Sequence, residues 1–91
     1  MIFAVICNDK PGAVDVRNAN REAHLAYAAQ TGAVRRGGPL LDDDGAMVGS
    51  LLFIEAADRA AAGAWAANDP YARAGLFESV QIRAWKQTIG E

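Results

Sequence analysis

The feature that most constrains the fold is a pair of short segments that are apolar at consecutive positions. They are IFAVICN at 2–8 and MVGSLLFIE at 47–55. Successive side chains of a β-strand point to opposite faces, so a strand that is apolar at every position has to be covered on both sides. The sequence therefore predicts two strands at the centre of a sheet, with the edges and the cover supplied by the rest of the chain.

Two helices are predicted, one between the two apolar strands and one after the second of them. The first runs from about 14 to 30 and ends at Gly32, a residue that commonly caps helices, and the second covers the alanine-rich residues 57–69. The sequence AVRRGGPLL at 33–41 pairs with 47–55 as a hairpin around the acidic turn DDDGA.

The last strand is predicted over FESVQIRAWK at 77–86, and PYARAGL before it is a short connection with room for one helical turn. The order is β-α-β-β-α-β, which predicts a ferredoxin-like α+β fold with a four-stranded antiparallel sheet, in a single domain over 1–91. In that topology the first and third strands are central, as their apolar character requires.

The same topology predicts a partner. Right-handed crossovers place both helices on one face of the sheet, so the apolar side chains on the other face have no covering layer in this chain. An exposed apolar patch of that size is typical of an interface. We therefore expect a homodimer in which two sheets pack through their helix-free faces.

Composition narrows the function classes. The net charge of −2 and the pI near 5.3 argue against a nucleic-acid surface, and the longest apolar run, MIFAVIC, is far too short to cross a bilayer and lacks a charged leader. The single cysteine, Cys7, lies in a strand and is expected to be a buried structural thiol. We expect a cytoplasmic protein.

The only histidine, His24, shares a helical stripe with Arg17 and Arg21, from which it is seven and three residues away. A neighbouring stripe of small or aromatic residues is predicted to face the sheet; it contains Ala19, Ala23, Ala26 and Tyr27. Two interpretations of His24 remain open. It is either a half-buried helix residue beside solvated arginines, or the residue that carries general acid–base chemistry.

The motif NDPY at 68–71 offers a similar choice. Asn68 and Asp69 favour turns and Pro70 disfavours helical geometry in the residue before it, so the motif ends the second helix. Alternatively, this rigid corner also directs the Asp69 carboxylate at His24. The two helices lie side by side in this topology, so the contact is geometrically allowed, although spacing alone does not show it.

The combination of RNANREAHLAY, GGPL, GS, NDPYARAGL and a terminal strand ending in Trp85 resembles the YCII-related (YciI-like) family of small dimeric α+β barrels. The resemblance implies an active site built on a His–Asp pair, which corresponds to His24 and Asp69. It also implies a substrate pocket near a further set of residues: Arg17, Arg21, Gly38, Pro39, Ser50, Pro70 and Tyr71. Related dimeric barrels include muconolactone isomerases and dehydrochlorinases of chlorinated hydroquinones.

Each pocket residue also has a structural interpretation: Gly38 and Pro39 would bend an edge strand, Ser50 would pack on a central strand, and Tyr71 would be a core aromatic. With one histidine, one cysteine and no glycine-rich phosphate loop, neither a metal nor a nucleotide cofactor is expected. The resemblance therefore implies a small cofactor-independent lyase or isomerase acting on a small, cyclic or anionic metabolite. The alternatives are a non-catalytic binding or accessory module and a purely structural dimer.

Overall fold

A computed structural model describes all 91 residues of the chain. It contains four strands and three helices: β1 (Ile2–Asp9), α1 (Val14–Thr31), β2 (Val34–Leu41), β3 (Met47–Glu55), α2 (Arg59–Ala67), α3 (Pro70–Arg73) and β4 (Phe77–Trp85). The predicted order is confirmed, and the short connection before β4 does contain one helical turn, α3.

The helix ends follow local capping chemistry. α1 ends at Gly32, which adopts the left-handed conformation with φ 63° and donates its N–H to the Ala28 carbonyl. α2 is shorter than expected at both ends. It begins after Asp58, whose side chain accepts a hydrogen bond from the Ala61 N–H, and it ends at Asn68.

The sheet has the strand order β2-β3-β1-β4, and every neighbouring pair is antiparallel. β1 and β3 are therefore the central strands, as their apolar character predicted. The register places Val5 of β1 beside Leu52 of β3 and Ile82 of β4, so these three side chains share one face.

Both longer helices cover that face, which confirms the predicted layers. The core comprises strand residues and α2 residues: Phe3, Val5, Cys7, Leu52, Ile54, Ala62, Trp65 and Ala66. α1 adds the partly buried Tyr27, whose hydroxyl donates a hydrogen bond to the Trp65 carbonyl at 2.8 Å.

The rotation of α1 corrects one expectation. Ala19, Ala23 and Ala26 were predicted to face the sheet, but all three are exposed, and the buried residues of α1 are Arg17 and His24. Burial of polar side chains is tolerated when they are hydrogen-bonded, and both have partners on other elements. Burying the alanines instead would remove little apolar area from water, because their side chains are small.

None of the three helices combines the length and the apolar character needed to cross a membrane. The cytoplasmic location stays a prediction.

Candidate functional site

The imidazole of His24 contacts the carboxylate of Asp69. His24 Nδ1 lies 2.8 Å from Asp69 Oδ1 and 3.0 Å from Oδ2, and both side chains are buried. A carboxylate only accepts hydrogen bonds, so Nδ1 carries the proton in this contact. Nε2 makes no hydrogen bond within the chain. Since every fully buried side-chain nitrogen or oxygen has a partner, Nε2 is accessible from the cavity that His24 lines.

The position of Asp69 follows from the NDPY corner. Asp69 is the N-cap of α3, with extended backbone (φ −60°, ψ 131°), and its Oδ1 accepts the Tyr71 N–H at 2.9 Å. Pro70 occupies the first helical position, where its missing N–H costs nothing. The motif therefore starts a new helix, and that helix holds the carboxylate against α1.

Tyr71 connects the pair to a buried arginine. Its ring stacks on the His24 imidazole with centroids 4.1 Å apart and planes 15° apart, and Arg17 Cζ lies 4.7 Å from the Tyr71 ring centroid. Tyr71 itself lines the cavity, beside His24 and Arg17.

Arg17 is held by two further elements. Its Nε and Nη2 donate to the two carboxylate oxygens of Asp9 at 2.8 and 2.9 Å, and Nη2 also donates to Ser50 Oγ at 2.9 Å. Only 4% of each side chain of the Arg17–Asp9 pair is exposed. A bidentate pair of this kind fixes the plane of the guanidinium as well as its position.

These groups open onto a cavity of about 350 Å³ between α1 and the β2–β3 part of the sheet. Its polar lining comes from Arg17, Arg21, His24, Ser50 and Tyr71. The remaining lining is apolar or small: Leu25, Ala28, Val34, Gly37, Gly38, Pro39, Met47 and Leu52. A pocket of this size and character suits a small molecule with a few polar groups.

Burial and neighbouring charges shift the pKa values of several groups around the cavity. Burial raises the pKa of the Cys7 thiol to about 12, with a further upward contribution from Asp69. Burial also raises the pKa of Tyr71, although the Arg17 charge opposes it. For Arg17, burial lowers the pKa, but the hydrogen bonds and charges of Asp9 and Tyr71 together outweigh it, so the net shift is upward. Arg17 therefore stays charged and Tyr71 stays neutral near neutral pH.

Residues 1–86 match the family model of the YCII-related domain. The chain belongs to the YCII family. The match covers every helix and strand of the fold, so it includes all the residues that form the His24 cavity.

Relatives in this family span the whole chain. Protein YciI of Escherichia coli O6:H1 is 32% identical and an uncharacterized protein of Haemophilus influenzae is 31% identical, in each case over 98% of this chain and the full length of the relative. Among solved structures, 5-chloro-2-hydroxyhydroquinone dehydrochlorinase (TftG) from Burkholderia phenoliruptrix AC1100, in complex with 2,5-dihydroxybenzoquinone, is 36% identical with a TM-score of 0.87. That comparison covers 97% of this chain and 96% of the dehydrochlorinase.

The structure brings most of the predicted site residues of this YCII-related domain together. The cavity is lined by Arg17, Arg21, His24, Gly38, Pro39, Ser50 and Tyr71. Asp69 lies behind His24 rather than in the lining. Pro70 also lies outside the lining and faces a separate shallow groove, so its part in the site is to start α3. Arg21 is exposed and also lines the cavity, whereas Arg17 is 3% exposed and therefore does not belong to a solvated helix face.

Sequence reasoning missed Asp9 and the apolar side of the cavity. Asp9 is two residues after the core residue Cys7, and strand alternation places both on the helix-covered face. The sequence did contain an indication of Asp9: an acidic residue at a strand position whose side chain points to the helix-covered face. Leu25 and Met47, by contrast, face the cavity because of how α1 and the hairpin approach each other, which no local pattern indicates.

Proposed function

We propose that this protein is a cofactor-independent enzyme of the lyase or isomerase type that moves protons on a small hydroxylated ring compound. The observation that carries the proposal is the set of contacts made by the two ring nitrogens of the single histidine. Its Nδ1 is held by a buried carboxylate, and its Nε2 opens onto a cavity of ring-compound size.

In this proposal His24 Nε2 takes and returns protons. Asp69 keeps the proton on Nδ1, which leaves the Nε2 lone pair directed at the substrate, and it stabilises the imidazolium that forms during transfer. Arg21 lines the cavity and has no ion-pair partner, so it is the cation that binds a phenolate or enolate oxygen.

The dehydrochlorinase relative suggests the substrate class, chlorinated trihydroxybenzenes. For such a ring, loss of HCl needs no external oxidant. A base removes a hydroxyl proton, and an acid delivers a proton to the carbon that bears chlorine. Loss of a second hydroxyl proton then expels chloride with the C–Cl bonding pair. The products are a hydroxybenzoquinone, chloride and one proton, because the ring is oxidised as its C–Cl bond becomes C–H.

Support comes from two independent sources. The His24 imidazole lines a cavity and contacts a buried carboxylate, and a protein of 36% identity with the same fold is a dehydrochlorinase whose structure was solved in complex with 2,5-dihydroxybenzoquinone. The cavity's mixture of apolar walls with several polar groups fits a planar, hydroxylated ring better than a highly charged metabolite.

The direct test is turnover of 5-chloro-2-hydroxyhydroquinone, followed by chloride release and by quinone absorbance. Lactones that require only proton migration form a second substrate panel. We expect His24→Ala to reduce kcat on the order of 100- to 10,000-fold, as loss of a general acid–base group does. Asn18→Ala, an exposed substitution on the same helix, is the control.

Two results would overturn the proposal. One is turnover by His24→Ala at the wild-type rate. The other is wild-type protein that binds 2,5-dihydroxybenzoquinone, with a rise in melting temperature, yet turns over no member of either panel. The second result would establish the non-catalytic binding module instead.

We also propose that the protein forms a homodimer through the helix-free face of its sheet. Ala4 on this face is 7% exposed, and Phe53 packs against Trp85 with ring centroids 4.5 Å apart, while Trp85 itself is 40% exposed. Partly buried Ile6 and Leu51 pair across β1 and β3 on the same face. No helix or strand of this chain covers this face, and only the C-terminal residues 87–91 lie beside Phe53 and Trp85. A second copy would present the same apolar surface to these side chains.

A further inference from the structure

Asp9 reaches the site only through Arg17. It accepts hydrogen bonds from this arginine, which lines the cavity, but Asp9 does not line the cavity itself. It is the last residue of β1, where the pairing with β4 shifts register between Asn8 and Asp9. Both of its carboxylate oxygens accept hydrogen bonds from Arg17, and the pair is almost fully buried. The charge of Arg17 is therefore compensated within the protein.

Arg17 and Arg21 differ in consequence, although they lie one turn apart on α1. Arg21 is exposed and has no ion-pair partner, whereas Arg17 has committed Nε and Nη2 to Asp9 and Ser50. A compensated guanidinium attracts a substrate anion weakly, but a guanidinium fixed in two directions is a rigid support.

We propose that Asp9 is a positioning residue that acts through Arg17 on the orientation of Tyr71 and His24; this inference rests on the proposed function of the His24 site. The contacts form a continuous series from Asp9 to the imidazole. Arg17 Cζ lies 4.7 Å from the Tyr71 ring centroid, and the Tyr71 ring stacks on His24 at 4.1 Å. Without Asp9, the buried guanidinium is unpaired and turns towards the cavity and its solvent.

Movement of the guanidinium removes the support on one side of Tyr71 and the hydrogen bond to Ser50. The imidazole then keeps its Asp69 partner but loses its stacked neighbour, so its orientation towards the substrate is no longer unique. A displacement of about 1 Å at a reacting group lowers the rate about 100-fold.

The first experiment compares Asp9→Asn with Asp43→Asn, an exposed residue of the hairpin turn that provides a matched change of charge. With 5-chloro-2-hydroxyhydroquinone as substrate, we expect kcat of Asp9→Asn to fall about 100-fold with little change in KM, because the residue touches no substrate. Asp43→Asn is expected to match the wild type. Equal kcat for Asp9→Asn and the wild type would overturn the proposal.

A second measurement does not depend on turnover. The chain has one histidine, so its carbon-bound ring protons give two resonances that can be followed without assignment ambiguity. Stacking on Tyr71 displaces these resonances upfield through the ring current. We expect Asp9→Asn to return them towards the position of an unstacked histidine, and Asp43→Asn to leave them in place.

This second measurement separates the two proposals. A wild-type protein without turnover, but with histidine resonances that respond to Asp9→Asn, contradicts the proposed function and supports the positioning role. Where Asp9→Asn does not fold, Arg17→Lys keeps the cation but loses the bidentate fork, and the same shift is expected. Histidine resonances that stay at the wild-type position in the folded variant would overturn the positioning role.

Discussion

The Asp69 carboxylate accepts hydrogen bonds from two elements, the His24 ring on α1 and the Tyr71 backbone at the start of α3. Asparagine is as good an N-cap as aspartate, but it cannot stabilise an imidazolium as a carboxylate does. We therefore expect Asp69→Asn to retain most of the stability and to lose kcat on the order of 100- to 10,000-fold. Asp69→Ala should lose the cap as well, at a further cost of about 1 kcal/mol.

Chemical denaturation and turnover measured on both variants check this separation of roles. Nitrogen-detected spectra of the single histidine add a direct observation, since the wild-type ring is expected as the Nδ1–H tautomer. Equal activity of the wild type and Asp69→Asn would show that the carboxylate serves only to cap α3.

Cys7 gives a prediction in the alkaline range. Burial raises the pKa of its thiol to about 12, so the folded protein keeps this proton while the unfolded chain releases it near pH 8.5. The contribution of the neutral thiol to stability is complete below about pH 8.5 and declines above it. The free energy of unfolding should therefore fall above about pH 8.5, and above about pH 10 the raised pKa values of Tyr27 and Tyr71 add to the decline.

Urea denaturation across that range checks the expectation, with Cys7→Ala as the control that lacks the titrating group. The native wild-type thiol should also resist a thiol reagent at about pH 8 and react fully after unfolding. A parallel decline in stability for Cys7→Ala and the wild type would assign the pH dependence to other groups.

At the scale of elements, β2 forms one wall of the cavity, and its two adjacent glycines have different roles. A Cβ added at Gly37 would lie 2.4 Å from Leu52 Cδ2, whereas one added at Gly38 would meet nothing within 4 Å. Gly37→Ala should therefore destabilise the protein by about 1–3 kcal/mol through overpacking of the helix-covered face. Gly38→Ala should be neutral or slightly stabilising, since the added methyl group contacts no other atom of the chain.

The measurement is the free energy of unfolding of both variants in urea, with binding of 2,5-dihydroxybenzoquinone to Gly37→Ala as a second readout. We expect that affinity to fall, because Leu52 lines the cavity and has to move. Equal stabilities for the two alanine variants would mean that the hairpin adjusts freely, and that Gly37 does not set the width of the cavity.

For the whole molecule, the prediction concerns assembly. Leu51→Arg places a charge in the centre of the helix-free face without entering the helix-covered core, so it should convert the proposed dimer to a monomer. Light scattering after size exclusion measures the mass. Leu41→Arg, at a position 58% exposed near the end of β2, is the matched control. A monomeric wild type, or a Leu51→Arg variant that remains dimeric, contradicts this interface.

The order of elements was readable from the sequence because burial leaves a local record. Strands β1 and β3 are apolar at consecutive positions, and this alone placed them at the sheet centre. Gly32 and the NDPY motif marked helix ends through backbone preferences that need no tertiary context. Those features indicated the order of elements and the central strands, whereas the active role of His24 was implied only by the resemblance to the YCII-related family.

The rotation of α1 was decided only by the tertiary structure. Its alanine stripe looked like the buried side, but Arg17 and His24 are buried instead, since their partners come from other elements: Asp9 on β1, Ser50 on β3 and Asp69 before α3. These partners are 8, 33 and 45 positions away in the chain, respectively. Hydrogen bonds between residues so distant depend on how strands and helices approach one another, and a local hydrophobic pattern carries no record of that approach.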